Sequence, residues 1–187
     1  MLAQGTVLDI GDHTVEVLDT PAATGDRYRL RIVAEPGAPG IKGDFPHIHP
    51  ILVETFQCVS GHMVARVDRT VSEVKPGEKV EVPSGKVHGF LNTGESPLTL
   101  DGEVIFPNGY RAEDDLMRFA AIYDRLRREG PVNPNTGEPP LLQMAVLANA
   151  NTRLIRQPGV AGRLMPLLAA LGKWRGYRSD FPEFKDT

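Results

Sequence analysis

Two short stretches hold the side chains most able to do chemistry. The first is His47-Ile48-His49, followed by Glu54 and Gly61; the second runs Gly77, Pro83, Gly85, His88 and Asn92. Together they supply three imidazoles and one carboxylate, donor types that divalent zinc and non-haem iron both take. His47 and His49 are two apart, so on a strand both side chains point to one face and can reach one ion. Pro50 biases His49 toward extended backbone. His88 must come from a different strand, and Gly77–Asn92 has the shape of a hairpin arm that would bring it alongside. Three imidazoles and a carboxylate fill four positions of an octahedron and leave two adjacent ones for water, dioxygen or a bidentate substrate. That arrangement is catalytic, because a closed structural site leaves no position free. The plainer alternative is that these are ordinary polar strand residues in a barrel that holds no metal.

The elements around these residues read as strands. Thr6–Ile10, Thr14–Leu18 and Arg27–Ala34 are short, rich in β-branched residues and separated by turn formers. In Tyr28–Val33 charged and apolar residues alternate, as on a strand with one wet face. Glu35–Asp44 is a Gly/Pro loop. Val53–Ser60, Met63–Asp68, Val71–Val74, Lys79–Val82, Lys86–Leu91 and Leu98–Phe106 follow, with turn signals at Ser60-Gly61, Pro76-Gly77, Pro83-Ser84-Gly85 and Asn92-Thr93-Gly94. Many short strands at close spacing predict a mainly β protein, a barrel or double-sheet jelly roll. After Pro107-Asn108-Gly109 the pattern turns helical. Glu113–Glu129 carries apolar residues at helical spacing, acids in its first turn and arginines in its last, matching the helix dipole. Two further helices are expected over Leu141–Ala150 and Gly162–Leu171, the latter with Pro166 early enough to be tolerated or to kink it. The chain thus divides into a β-barrel over 1–109 and a C-terminal α-helical extension over 110–187. Helices this short need the barrel or a second subunit to pack on.

His47-x-His49-x4-Glu54-x6-Gly61 resembles the first cupin motif, and Gly77-x5-Pro83-x-Gly85-x2-His88-x3-Asn92 matches the second at every marked position. The short spacer between them is similar to that of small bacterial single-domain cupins of the RmlC-like type. One departure is that the family's opening glycine stands further ahead of its first histidine than Gly43 does here. The resemblance implies a double-stranded β-helix, with His47, His49, Glu54 and His88 on one divalent metal, commonly iron, manganese, nickel or zinc. It also implies frequent homodimers.

Other residues carry weaker signals. Phe56 and Cys58 share the strand parity of Glu54, and Phe90 that of His88, so all three face inward. Core packing explains them; in a ligand-holding barrel they also form the apolar wall of the substrate pocket. No histidine or base stands near Cys58 to activate it. His62, beside the turn glycine Gly61, and His13, between Asp12 and Thr14, read as surface residues. Asn92 reads as a turn residue rather than a ligand. Tyr110 and Arg111 stand where the barrel meets the helices and offer a possible hold on an anionic substrate, although a solvated arginine is the commoner case. The basic, aromatic stretch from Gly172 to Arg178 suits a tail over a partner better than a membrane surface, given a net charge of −3. That charge also argues against a nucleic-acid binder. A single cysteine forms no internal disulfide and is consistent with the cytoplasm. The first residues lack the basic-then-apolar pattern of a signal peptide, and no apolar run is long enough to span a bilayer.

Three functions follow as expectations. The first is a mononuclear non-haem metal oxidoreductase, dioxygenase-like, acting on a small organic substrate inside the barrel, with Glu54 able to leave the metal and act as base. The second is a non-redox isomerase, lyase or hydrolase in which the metal is a Lewis acid. The third is a small-molecule-binding or sensing module without catalysis.

Overall fold

The computed structural model describes residues 1–11, 13–36, 46–134 and 137–182. Two antiparallel sheets face each other across the core. The six-stranded sheet has the order β1 (Val7–Asp9), β2 (His13–Asp19), β3 (Arg27–Ala34), β10 (Leu98–Ile105), β5 (Val53–Ser60), β8 (Lys79–Val82). The four-stranded sheet has the order β4 (His47–Ile48), β9 (Val87–Asn92), β6 (Met63–Val67), β7 (Thr70–Val74). This is the mainly β, double-sheet architecture expected. The period-two patterns act as they should: along β5, Glu54, Phe56 and Cys58 are buried, Val53, Thr55 and Gln57 are half-buried and Val59 is exposed. At β10, Gly102 pairs with Phe56, and a methyl group there would sit 3.2 Å from the Phe56 ring. Gly61, in the β5–β6 turn, is held at φ +93°, and a Cβ would come within 2.8 Å of the Leu98 Cα and the Pro97 carbonyl oxygen.

One expectation fails. β8 and β9 do not form a hairpin: β8 pairs with β5 in the six-stranded sheet, and β9 lies between β4 and β6 in the other. The Pro83–Lys86 turn instead hands the chain from one sheet to the other. The loop expected over Glu35–Asp44 lies, beyond residue 36, outside the described residues, and Gly43 with it.

A four-residue helix, α1 (Pro21–Thr24), lies between β2 and β3, and of the later α-helices the first is the one that starts at a side-chain cap. A 3₁₀ turn over Ala112–Asp114 precedes α2 (Leu116–Glu129), which begins later than its acidic stretch suggested. The reason is Asp115, whose carboxylate accepts from the Met117 and Arg118 amides as N-cap and also takes the Tyr28 and Tyr110 hydroxyls, both at 3.0 Å. α2 packs on the barrel, Leu116 and Met117 joining the core of Val17, Tyr28, Leu30 and Phe106. α3 (Leu141–Ala150) matches its expected bounds, and α4 (Gly159–Trp174) is longer at both ends, so Pro166 lies well inside it rather than in its first turn. α3 and α4 pack closely at Gly172, where a Cβ would meet Val146 at 2.6 Å and the Leu142 carbonyl oxygen at 2.7 Å. Among the described residues no helix is long and apolar enough to cross a membrane.

Candidate metal centre

The four donors come from both sheets. β4 pairs with β9 in a register that sets His47 opposite His88, and their ring centroids lie 4.3 Å apart. His49 leaves the end of β4 and presents its ring edge-on to His47, at 4.8 Å between centroids. Glu54 projects inward from β5 in the facing sheet. His88, His49 and Glu54 are only 1%, 4% and 5% exposed, and His47 is half-buried. One donor atom from each residue lies within 4.8 Å of all the others. His47 Nε2 is 3.1 Å from His49 Nε2, Glu54 Oε2 is 2.8 Å from His88 Nε2, and Glu54 Oε1 is 3.5 Å from His49 Nε2. Adjacent ligands ~2.1 Å from a shared ion stand about 3 Å apart in an octahedron, so these spacings are those of neighbouring ligands.

The hydrogen bonds on the outer ring atoms assign the tautomers. His49 Nδ1 donates to the Leu154 carbonyl at 2.6 Å, and His88 Nδ1 donates to the Lys86 carbonyl at 3.0 Å. Each ring therefore turns an Nε2 lone pair into the cluster, the form in which imidazole binds a metal. Glu54 Oε2 and His88 Nε2 are close enough to pair as ions, yet their angles make no hydrogen bond, and both atoms are buried without a hydrogen-bond partner. Held 2.8 Å apart as a buried ion pair without hydrogen-bond geometry, the two atoms are left short of a full set of partners, which a shared cation would supply. The residues fit a divalent ion.

Electrostatics agree. Burial by itself would raise the Glu54 carboxyl, but the facing imidazoles of His49, His88 and His47 outweigh it and hold the pKa down from 4.5 to about 2. For His88, burial works to lower the pKa and the Glu54 carboxylate to raise it; the carboxylate wins.

The other singled-out residues fall into place around this cluster. Phe56 and Phe90 pack with their rings tilted by 59° at 4.2 Å between centroids, and the Phe90 ring lies 6.1 Å from that of His88. Cys58 is wholly buried in the core with Met63 and Leu98, its thiol pushed up by burial and by the Glu78 charge. Asn92 braces its turn, donating to the Ala34 and Ser96 carbonyls and accepting from the Gly94 amide. His62 is half-exposed and bonds Glu73 and Thr93 at the surface; His13 is half-buried at the start of β2. The Tyr110 hydroxyl goes to Asp115, and Arg111 pairs with Asp114 and Glu113, so both serve the junction with α2. Trp174 is 78% exposed, with the Arg175 guanidinium over its ring. Sequence reasoning missed the Leu154 carbonyl, which lies 105 residues from His49 and carries no side-chain signal.

Residues 30–105 match the Cupin_2 family, described as the cupin domain. No curated protein sequence matches the chain. Similar solved structures include a predicted oxalate decarboxylase from Thermotoga maritima (21% identity, 50% of this chain and 80% of that one, TM-score 0.44). An uncharacterized protein with a double-stranded beta-helix domain from Klebsiella pneumoniae is 25% identical over 54% of this chain and 82% of that one, with TM-score 0.44. An RmlC-like cupin from Shewanella frigidimarina is 19% identical over 56% of this chain and 86% of that one, with TM-score 0.46.

Proposed function

We propose that this chain, which carries a cupin domain over residues 30–105, is a metal-dependent enzyme acting on a small organic substrate, with His47, His49, Glu54 and His88 as the ligands of one divalent ion. The observation that carries this is the buried convergence of Glu54 Oε2 and His88 Nε2, 2.8 Å apart with no hydrogen bond between them, beside two further imidazoles. We assign a dioxygenase-like oxidoreductase as the reaction class. Four donors leave two positions of an octahedron free, and a bound ion there supplies Lewis acidity and, for iron, a redox couple.

The protein's own groups set the conditions. Three neutral imidazoles and one carboxylate leave a divalent ion with residual positive charge, suited to an enol or diol that can chelate. In the metal-free site the facing imidazoles hold the Glu54 carboxyl well below its ordinary range, so it is present as the carboxylate that a metal ligand must be. The ligand role therefore comes first, and a base role requires Glu54 to leave the imidazoles. Phe90, beside His88 and packed against Phe56, supplies an apolar wall that excludes water; Cys58 backs that wall.

Metal analysis of the purified protein by plasma mass spectrometry, then oxygen uptake with a panel of enolic substrates after anaerobic iron loading, tests the proposal. Stoichiometric metal with oxygen consumption is expected. Bound iron with silence across the panel would refute the oxidoreductase class, and native zinc would favour Lewis-acid chemistry on the same ligands.

We also propose pairing with a second copy through α4. Val160, Leu164, Leu167, Leu171 and Trp174 are all exposed, and their alternating spacing of four and three is that of a coiled-coil seam. Light scattering should give twice the 20.5 kDa chain mass; a monomer in the micromolar range would refute the pairing.

A further inference from the structure

We infer that the turn joining α3 to α4, residues 151–156, is a positioning element of the metal centre, so that the C-terminal extension is part of the site rather than an appendage. The inference rests on the metal reading above.

Three contacts carry it. The Leu154 carbonyl accepts His49 Nδ1–H at 2.6 Å, which fixes the ring's tautomer and direction. A carbonyl acceptor in this position also raises the basicity of the nitrogen on the metal side. Ile48 and Arg156 form an antiparallel bridge, Ile48 N–H donating to the Arg156 carbonyl at 3.0 Å and Arg156 N–H to the Ile48 carbonyl at 2.9 Å. β4 has only two residues, and among the described residues β9 is its sole strand partner; a pair that short holds its register poorly alone. The bridge supplies a second partner for the residue between the two histidine ligands. On the other side, the His49 carbonyl accepts from the Gly85 amide at 2.8 Å. His49 is therefore held through its backbone by the second sequence motif and through its ring by the turn.

The turn is itself anchored. Leu154 is 1% exposed and packs in the barrel core with Leu52, Val104 and Phe106. The Leu154 and Ile155 amides both donate to the Asn151 carbonyl, and the Asn151 side chain donates to Leu147 in α3. Displacing the turn would withdraw the Leu154 side chain from the core and leave the buried His49 Nδ1–H without an acceptor, two costs that oppose movement. Coupling of this kind is reciprocal: if the docked turn favours metal binding, bound metal favours the docked turn by the same factor.

Co(II) is the probe, because its absorption spectrum reports the ligand field. In the wild-type protein, Co(II) should slow deuterium exchange across residues 151–156 and at the Ile48 amide. Arg156→Pro removes the N–H that donates to Ile48; it should weaken Co(II) binding by about tenfold to a hundredfold, the usual cost of losing an outer support of a metal ligand, and alter the spectrum. Arg156→Ala keeps that N–H and should retain wild-type affinity and spectrum. Leu154→Ala, which loosens the anchor, should shift affinity in the same direction as the proline variant and serves if that variant does not fold by circular dichroism. Unchanged exchange across 151–156 with Co(II) bound overturns the inference. So does a folded Arg156→Pro protein with wild-type affinity and spectrum. A wild-type protein that binds no Co(II) overturns the metal reading itself and this inference with it.

Discussion

Glu54→Gln is the sharpest perturbation of the site, because it removes one negative charge with almost no change of shape. In the metal-free protein the imidazoles hold the Glu54 pKa down from 4.5 to about 2. At about 1.36 kcal/mol for each pKa unit, that is roughly 3 kcal/mol of preference for the charged form. The folded pKa lies below the unfolded one, so the stabilisation is present above 4.5 and is lost as the pH falls toward 2. The glutamine variant lacks it throughout. Urea unfolding in the presence of a chelator should therefore show the variant less stable by roughly 3 kcal/mol at about pH 5.5, with the gap narrowing as the pH is lowered. With metal present the loss compounds: removing a ligand that touches the ion should reduce Zn(II) affinity by more than the ~10–100-fold that an outer-shell loss costs. A variant as stable as wild type at mildly acidic pH that also binds Zn(II) with unchanged affinity would refute both the electrostatic account and the ligand assignment.

Metal-free stability should depend on pH in a bell shape. The Glu54 contribution fades below 4.5, and the His88 contribution, whose folded pKa is raised above the ordinary 6.5, is full below 6.5 and fades as the pH climbs through the raised value. Metal should move the optimum upward, because protons and the ion compete for the imidazoles; identical melting profiles with and without Zn(II) across the range would contradict this. His88→Ala should lower metal content sharply, and unchanged stoichiometry by plasma mass spectrometry would remove it from the ligand set. Gly61→Ala forces a side chain into φ +93° and against the Leu98 backbone at 2.8 Å; about 1–3 kcal/mol of destabilisation is expected from the backbone conformation alone, read as a fall in Tm, and an unchanged Tm would refute the stated fit. Asp115→Ala removes the α2 cap and the acceptor of two tyrosine hydroxyls; the loss should reach roughly 3 kcal/mol or more in urea unfolding, and a loss below about 1 kcal/mol would show that the network is redundant.

The division between what was legible and what was not follows the range of the forces involved. Alternation and turn chemistry act over a few residues, so β3, β5, β8 and α3 were bounded correctly from side-chain types alone. The start of α2 was placed too early, at Glu113, because Asp115 stands in a run of acids, and its contacts in the folded chain, including one with Tyr28 far back in the sequence, distinguish it. The exit of β8 and β9 into different sheets was illegible for a similar reason: the Pro83–Lys86 turn reads equally well as a hairpin, and sheet closure decides which pairing occurs.

By itself the sequence determined the donors: three imidazoles and a carboxylate at spacings that suit a β-barrel, with the inward parity of Glu54, Phe56 and Cys58. Tertiary structure alone decided that the donors converge, which required β4 and β9 in one sheet to face β5 in the other. It alone brought the turn after α3 to His49, since the acceptor there is a main-chain carbonyl, a group that every residue carries and that no pattern of side chains can announce.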